Sequence, residues 1–171
     1  MKTIGVVGAG QMGSGIAQVC AQAGFSVIMN DIKDEFVNRG MDNINKNLDR
    51  QVKKEKITLE EKNEIIGRIK TSIQIEDFVP ADFMIEAVIE NENLKKDIFA
   101  KLDNICRKEV VLATNTSSIP ITRIGAATKR PDKVIGMHFM NPVPVMKLVE
   151  IIKGVATSHE TLTITKDLAE R

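Results

Sequence analysis

The stretch Ile4-Gly5-Val6-Val7-Gly8-Ala9-Gly10-Gln11-Met12-Gly13 lies near the start of a chain of 171 residues and decides its fold. Its apolar first half, Ile4–Gly8, predicts a short buried strand, and a helical pattern follows from Met12 to Ala23. In the glycine spacing, the first glycine permits a tight turn, the second lets a phosphate approach the backbone, and the third lets the helix pack on the strand. Because the helix N-terminus also offers free N–H groups to an anion, the segment predicts a dinucleotide-binding loop.

Asp31 ends the next predicted strand, Phe25–Asn30, at the interval expected for such a loop. A carboxylate there accepts hydrogen bonds from the ribose hydroxyls of adenosine and repels a 2′-phosphate. Since Asn30 is neutral and no arginine stands beside Asp31, the sequence predicts NAD rather than NADP. The alternative is a plain glycine turn with an exposed aspartate, and the combination of features favours the cofactor.

Helical and strand patterns alternate along the rest of the chain. Helices are predicted from Lys33 to about Lys56, at Leu59–Ile69, Leu94–Ile105 and His159–Arg171, and from Pro120 for a short piece. In the first of them, Phe36, Val37, Ile44 and Leu48 form the expected inward stripe. Strands are predicted at Thr71–Ile75, Phe83–Val88, Val110–Ala113, Lys133–His138 and Lys147–Ile152. This order indicates a Rossmann-type α/β fold, a mostly parallel sheet with helices on both faces and a helical hairpin inserted after the second strand.

The composition excludes several classes of function. Apolar residues make up 43% of the chain, charged residues 27%, and the formal net charge is +1, so neither nucleic acid nor a membrane surface is an expected partner. No apolar run has the length of a membrane span, and the N-terminus enters a strand at once instead of a signal peptide. Cys20 and Cys106 are expected to be buried free thiols, and no metal site is expected. We therefore expect a cytoplasmic protein.

A second group of residues follows the later strands. Asn115-Thr116-Ser117-Ser118 comes after Val110–Ala113, at a carboxyl strand end where ligands of parallel sheets bind. The alternative is a polar turn that caps the next short helix. Glu90 also follows a strand, and Lys95 lies in the first turn of the next helix, where a cation opposes the helix dipole. A nearby anion or ribose would explain Lys95, and a solvated surface lysine is the alternative.

His138 and Glu150 flank the chain reversal at Asn141-Pro142-Val143-Pro144. A hairpin centred near Pro144 would set positions 138 and 150 opposite each other, close enough to interact. A carboxylate beside an imidazole fixes its tautomer and orientation, which prepares a general base. The alternatives are a core histidine bonded to a carbonyl and a glutamate solvated on its strand.

Three stretches together resemble the 3-hydroxyacyl-CoA dehydrogenases, namely Gly8–Ala17, Asn115–Ser118 and Gly136–Glu150. Within the family, the likeness is greatest to the bacterial, clostridial-type enzymes that act on 3-hydroxybutyryl-CoA. The block from Gly136 to Glu150 is far more specific than the glycine motif. The resemblance implies reversible, NAD-linked oxidation of an L-3-hydroxyacyl-CoA to the 3-ketoacyl-CoA, as in fatty acid and butyrate metabolism.

The resemblance also implies residue roles. His138 would be the general base for the 3-hydroxyl proton, Glu150 would orient it, and Ser117 would hydrogen-bond the substrate oxygen. The hairpin after Asp31 matches the segment that meets CoA, with Lys54 near the CoA phosphates and Asn47 where relatives carry serine. The implied cofactor contacts are Gly8, Gly10, Gln11, Met12, Gly13, Asp31, Glu90, Lys95, Asn115 and Asn141, the last at the nicotinamide end.

Members of this family continue for about a hundred residues more, a helical domain that closes the acyl site and forms the dimer. We therefore expect residues 1–171 to be the NAD-binding domain alone, without that dimerisation domain. Two functions stay open, a 3-hydroxyacyl-CoA dehydrogenase and a truncated NAD-binding module with little or no turnover. A third, a 6-phosphogluconate-type or β-hydroxyacid dehydrogenase, would carry a catalytic lysine on a later helix instead of a His–Glu pair.

Overall fold

The structure is a computed structural model and describes every residue from Met1 to Arg171. The strands are β1 (Thr3–Val7), β2 (Ser26–Asn30), β3 (Ile69–Ser72), β4 (Phe83–Glu86), β5 (Val111–Thr114), β6 (Val134–Phe139) and β7 (Val149–Lys153). The α-helices are α1 (Gln11–Gln22), α2 (Asp34–Lys53), α3 (Leu59–Gly67), α4 (Glu92–Ile105), α5 (Ile121–Gly125) and α6 (His159–Ala169). Single 3₁₀ turns form at Ile75–Phe78 and Pro131–Lys133.

The seven strands form one sheet in the order β3-β2-β1-β4-β5-β6-β7. The first six run parallel, and β7 pairs antiparallel with β6. The strand order reverses between β1 and β4, and ligands of open parallel sheets bind at such a point, beyond the carboxyl ends of the strands. The predicted Rossmann-type fold is confirmed.

Helices cover both faces of the sheet, because parallel strands joined by crossover helices are buried on both sides. On one face, α1, α2, α3 and α6 pack over alternate strand residues such as Val6, Met29 and Ile85. On the other face, α4 and α5 pack over the intervening residues, among them Met84 and Leu112. Alternate residues of a strand point to the same face of the sheet. His138 therefore lies on the same face as Gly136 and Val134, which is the face covered by α4 and α5.

The predicted helical hairpin after β2 is confirmed as α2 and α3. Between them, Glu55 adopts a positive φ of 53°, and Thr58 caps α3 in a capping box with Glu61. The expected stripe on α2 is correct for Val37, Ile44 and Leu48, which are fully buried, but not for Phe36. The Phe36 ring is only half-buried, and the cationic groups of Lys33 and Arg39 lie 5.8 and 5.2 Å from its centroid.

Some predicted boundaries are wrong. The sequence predicts the third strand at Thr71–Ile75, whereas β3 is Ile69–Ser72 and Ile75 begins a 3₁₀ turn. Ile69 pairs with Val27 of β2 in the parallel ladder, and this long-range pairing overrides the helical pattern that runs into it. The fourth strand ends at Glu86, before the predicted Val88, because the side chain of Glu86 turns to bind the Val88 amide.

Both cysteines are free and buried, as predicted. Burial raises the pKa of the Cys20 thiol to about 12, so it remains a neutral thiol that packs as a small apolar group. Among the helices, none combines the length and the hydropathy that crossing a bilayer would need.

Candidate active site

The three glycines of the loop between β1 and α1 differ in the space around them. A Cβ on Gly13 would lie 1.9 Å from the Gly8 carbonyl oxygen, and one on Gly8 would lie 2.6 Å from that of Ala87. Gly8 also has a φ of +98°, which side chains disfavour. A Cβ on Gly10 would meet nothing within 4 Å. Gly8 and Gly13 are therefore demanded by the fold, while Gly10 leaves an open strip of backbone.

The N-terminus of α1 suits an anion. Its N-cap residue is Gly10, no side chain caps the helix, and the first turn holds no acidic residue. The first N–H groups of the helix are therefore free to donate hydrogen bonds to a phosphate, and the helix dipole adds positive potential there.

Asp31 is tied to this loop. One of its carboxylate oxygens accepts a hydrogen bond from the Ala9 amide at 2.8 Å, and the other accepts one from the Ile32 amide at 2.7 Å. Asp31 is therefore part of the glycine turn itself, and its contact with a cofactor stays a prediction. The carboxylate braces the glycine loop, a role that sequence spacing did not reveal.

Hydrogen bonds of two residues, Asn115 and Glu90, fix the turn Asn115–Ser118 that follows β5. Asn115 accepts a hydrogen bond from the Phe139 amide at 2.8 Å, which ties the turn to the end of β6 beside His138. One oxygen of Glu90 accepts from the Thr116 hydroxyl, from the Ser117 and Ser118 amides at 3.2 and 3.3 Å, and from the Ser118 hydroxyl at 3.0 Å. No side chain of the turn caps α5, whose N-cap is Pro120. The capping alternative is therefore wrong, and the exposed Ser117 hydroxyl has no hydrogen bond within the chain.

Lys95 is not on the surface, so the solvated alternative is wrong. Its side chain is 1% exposed, and its ammonium lies 2.7 Å from Glu86 and 3.4 Å from Glu90. Glu86 is fully buried and was missed by the sequence analysis, because a glutamate within an apolar strand gives no sign of its partner. Partial burial alone raises the pKa of Glu90, but the hydroxyls of Thr116 and Ser118 and the Lys95 charge outweigh it and lower that pKa. Glu90 therefore remains a carboxylate.

His138 and Glu150 face each other across the β6–β7 hairpin, as predicted. The Nδ1 atom of His138 lies 2.8 Å from a carboxylate oxygen of Glu150. The alternative of a histidine bonded to a carbonyl is therefore wrong. Because the carboxylate can only accept, Nδ1 carries the hydrogen and donates it to this bond, and the neutral ring keeps its free lone pair on Nε2, where it can accept a proton.

The loop after β6 docks on α1. Gln11 donates a hydrogen bond to the Asn141 side chain at 3.1 Å, and the peptide bond between Asn141 and Pro142 is cis. A Cβ on Gly15 would lie 2.9 Å from that of Val143, so this glycine lets the loop approach the helix. The helix that opens at the glycine loop and the loop that follows His138 are thus joined directly.

A basic pocket of about 350 Å³ lies between α1, the end of α2 and this loop. It brings together the predicted Lys54 and Asn47, and it adds Arg50 and Lys56, which the sequence analysis missed. Lys54 caps the C-terminus of α2 four residues after Arg50, and this spacing could have indicated a shared face. Asn47 accepts a hydrogen bond from Arg50 at 3.3 Å and donates one to the buried Gln18 at 3.3 Å, which holds it in place.

The sheet therefore gathers distinct chemical groups at its carboxyl edge. An open glycine loop and an uncapped helix N-terminus suit a pyrophosphate, and a carboxylate-oriented imidazole and a free hydroxyl follow the neighbouring strands. A proton acceptor beside a dinucleotide site suits hydride transfer to or from a carbon that bears an oxygen.

Comparison with known proteins gives one consistent result. Residues 3–171 match the family described as "3-hydroxyacyl-CoA dehydrogenase, NAD binding domain". A probable 3-hydroxybutyryl-CoA dehydrogenase of Bacillus subtilis is 52% identical over 171 residues, which are 100% of this chain and 60% of that protein. A 3-hydroxybutyryl-CoA dehydrogenase of Bradyrhizobium diazoefficiens is 46% identical over 171 residues, again 100% of this chain and 58% of that protein.

The crystal structure of (S)-3-hydroxybutyryl-CoA dehydrogenase from Ralstonia eutropha has the same fold as the chain, with a TM-score of 0.98 and 47% identity. The match covers 99% of this chain and 60% of that chain. The chain thus spans about three fifths of the length of the relatives it matches.

Proposed function

The chain belongs to the 3-hydroxyacyl-CoA dehydrogenase family through its NAD-binding domain, and from that premise we propose that it interconverts an L-3-hydroxyacyl-CoA and the 3-ketoacyl-CoA. The proposed substrate is 3-hydroxybutyryl-CoA, the compound that appears in the names of the relatives. The observation that carries the proposal is the His138–Glu150 pair, 2.8 Å apart at the carboxyl edge that also holds the glycine loop.

The residues present suit NAD. Gly10 leaves open backbone where a pyrophosphate can approach, and the uncapped N-terminus of α1 can donate to it. The loop contacts would come from Gly8, Gly10, Gln11, Met12 and Gly13. Asp31 would accept from the adenosine ribose through lone pairs that its two backbone contacts leave free. Bound NAD would supply the hydride acceptor at the nicotinamide ring.

At the nicotinamide end, Asn115, Asn141 and Glu90 would contact the cofactor. Glu90 is partly exposed, at 38% of its side chain, so it can reach a ribose hydroxyl. Lys95 is buried and has its acceptors within the protein, so its support of the cofactor would pass through Glu90. This revises the direct contact that the family resemblance implies for Lys95.

In the reaction, His138 Nε2 would take the proton of the 3-hydroxyl group as hydride leaves C3. Glu150 would stabilise the imidazolium that forms and keep Nε2 turned toward the substrate. The free hydroxyl of Ser117 would donate to the substrate oxygen, where negative charge develops as the proton leaves.

The basic pocket would hold CoA. Arg50, Lys54 and Lys56 surround a space of about 350 Å³, and their positive charges suit the phosphates of CoA. Asn47 would line the same pocket. The pocket borders the loop that follows β6 and His138. The acyl chain of a CoA bound in the pocket would therefore extend along this loop.

NAD binding without turnover is the second candidate function. It concerns residues 1–171 taken by themselves, which span about three fifths of the relatives' length. On this proposal, residues 1–171 alone bind NAD and do not turn over an acyl-CoA.

The test is NADH oxidation with acetoacetyl-CoA, comparing the chain with His138→Ala. The chain has only two histidines, so His159→Ala, an exposed change on α6, is a matched control. We expect His138→Ala to lower kcat by about 100-fold or more while NAD binding and His159→Ala activity stay unchanged. Equal rates for the chain and His138→Ala would overturn the dehydrogenase proposal, and NAD binding without turnover would establish the module.

A further inference from the structure

Beneath the Asn115–Ser118 turn lies a buried ion pair between β4 and α4. The Lys95 ammonium and a Glu86 carboxylate oxygen are 2.7 Å apart, and the side chains are 1% and 0% exposed. The same Glu86 oxygen accepts from the Val88 amide at 2.7 Å, and the other accepts from the Thr114 hydroxyl at 2.7 Å. No buried side-chain nitrogen or oxygen of the pair lacks a hydrogen-bond partner, which fixes its geometry.

Stability alone does not account for the pair. Two residues earlier on the same face, β4 and β5 carry the apolar Met84 and Leu112, which pack in the core under α4. A buried ion pair is often no more stabilising than apolar residues of the same volume, because both charges lose their hydration. Glu86 is the last residue of β4 and binds Thr114, the last residue of β5, so the pair lies next to the site, and this position calls for a different role.

Two routes lead from the pair to the turn that carries Ser117. Through Lys95, the ammonium lies 3.4 Å from Glu90, which binds the Ser117 and Ser118 amides. The second route passes through Thr114, whose hydroxyl group donates a hydrogen bond to Glu86. The same hydroxyl oxygen accepts a hydrogen bond from the Thr116 amide at 3.2 Å. The turn is thus fixed by hydrogen bonds on its β5 side and on its α4 side.

We propose that Glu86 and Lys95 are positioning residues that hold Glu90 and the Asn115–Ser118 turn in place, and thereby set the Ser117 hydroxyl for the reaction. The kinetic part rests on the proposed dehydrogenase function. In this role Lys95 acts within the protein, as the partner that keeps Glu90 charged and aimed at the turn.

The first readout is the NMR titration of the Ser117 and Ser118 amide protons, which report the carboxylate they bind. Lys95 on α4 is the cation within ion-pair distance of Glu90, and the turn itself contributes only hydroxyls and amides. Nearby on α4, Glu92 pairs instead with Lys96 and with Arg123 of α5. Removing the Lys95 charge should therefore raise the pH at which these two amide signals titrate.

The variants are Lys95→Met and the double change Glu86→Gln with Lys95→Met, which removes both charges and leaves no unpaired one buried. The matched control is Lys96→Met, the next lysine on α4, whose partner is Glu92. We expect the titration midpoint of the Ser117 and Ser118 amides to rise in both Lys95 variants and to stay unchanged in the control.

The second readout is steady-state kinetics with acetoacetyl-CoA. We expect kcat of the double variant to fall by about 10- to 100-fold, because small misplacements of a reacting group are costly. The KM for the acyl-CoA should hardly change, since the basic pocket lies at the end of α2, on the other face of the sheet. The unfolding temperature of the double variant should remain near that of the parent.

Either of two results would overturn the proposal. One is a double variant whose amide titration and kcat equal those of the parent. The other is a kcat loss that accompanies an equal loss of folded protein, without a change in the amide signals. If the parent itself shows no turnover, the dehydrogenase proposal fails for this chain, and the amide titration alone decides the role of Glu86 and Lys95.

Discussion

Asp31 illustrates how one side chain can serve the fold and the proposed ligand together. Its two carboxylate oxygens accept from the Ala9 and Ile32 amides, at 2.8 and 2.7 Å, so the charge is already part of the glycine loop. A carboxylate oxygen has two lone-pair directions, which leaves capacity for ribose hydroxyls. The residue that would select the cofactor thus also shapes the loop that would bind its phosphates.

Replacing Asp31 by alanine tests this selection. Asp31→Ala is expected to weaken NAD binding by about 10-fold or more, because hydrogen bonds to a charged group are worth about 1.5–3 kcal/mol. NADP binding should fall less, since the repulsion of its 2′-phosphate disappears. Calorimetric titration with both dinucleotides measures the ratio, and the control is Asp42→Ala, a change at an exposed position of α2. An unchanged preference for NAD would refute the role of Asp31.

Lys95 shows what a residue pattern can and cannot tell. A lysine in the first turn of a helix is unusual enough to be noticed from the sequence. Its partner Glu86 lies nine positions earlier, on a strand, and no local spacing rule links the two. Only the packing of α4 on β4 brings their charges together, so the buried pair had to be seen in three dimensions.

At the scale of elements, the glycine loop separates residues required for folding from a residue free for binding. Gly13 lies where a Cβ would overlap the Gly8 carbonyl, whereas the space around Gly10 is open. Since Gly10 has a φ of −68°, alanine fits its backbone conformation without strain. One motif therefore contains two kinds of glycine, and single substitutions can distinguish them.

Alanine substitutions at these two glycines should give opposite outcomes. Gly13→Ala is expected to destabilise the chain by about 2 kcal/mol or more, because the strand and helix must move apart. Gly10→Ala is expected to leave the unfolding temperature nearly unchanged and to lower NAD affinity by about 10-fold, as its methyl group blocks the pyrophosphate. Thermal unfolding and NAD titration of both variants measure this. If Gly10→Ala binds NAD as tightly as the parent, the pyrophosphate does not lie on this strip of backbone.

Across the whole molecule, the two ends of the sheet have different tasks. The carboxyl end carries the glycine loop, Ser117 and the His138–Glu150 pair. The amino end carries charged clamps: Asp82 accepts from the Lys2 and Thr3 amides at 2.6 and 3.0 Å and pairs with Arg107 at 2.6 Å. This arrangement joins the starts of β1 and β4 to the end of α4, away from the proposed chemistry.

The Asp82 clamp predicts a pH-dependent stability. Partial burial alone would raise the pKa of Asp82, but the amides of Lys2 and Thr3 and the Arg107 guanidinium lower it to about 2, from 3.8. A carboxyl whose pKa is lower in the folded state stabilises the fold above pH 3.8, and the effect is lost as the pH falls toward 2.

Asp82→Asn is therefore expected to cost about 1 kcal/mol of unfolding free energy at neutral pH, after allowance for solvent screening of this partly exposed group. The cost should shrink as the pH falls from about 4 to about 2, because Asp82 itself becomes protonated in the parent. Urea unfolding of both proteins at several pH values measures the difference. NAD affinity should stay the same, and a stability gap independent of pH would contradict the assignment.

Local sequence pattern was sufficient for the alternation of strands and helices, the glycine loop, the helical hairpin and the His138–Glu150 pairing. Each of these depends on spacing within one segment or one hairpin, where the backbone period or a short chain reversal sets the geometry. The start of β3 was misplaced because its ladder partner, β2, lies about forty residues away along the chain.

The packed structure was needed for everything that depends on contact between distant segments. It placed Glu86 against Lys95, joined Asp31 to the Ala9 amide, brought Glu90 to the Ser117 turn and set the loop at Pro142 beside the pocket of Arg50 and Lys54. The physical reason is that burial and charge pairing arise between elements, at separations that no local period encodes. The kinds of residue needed for the proposed reaction can be read along the chain, but the partners that orient them come from the fold.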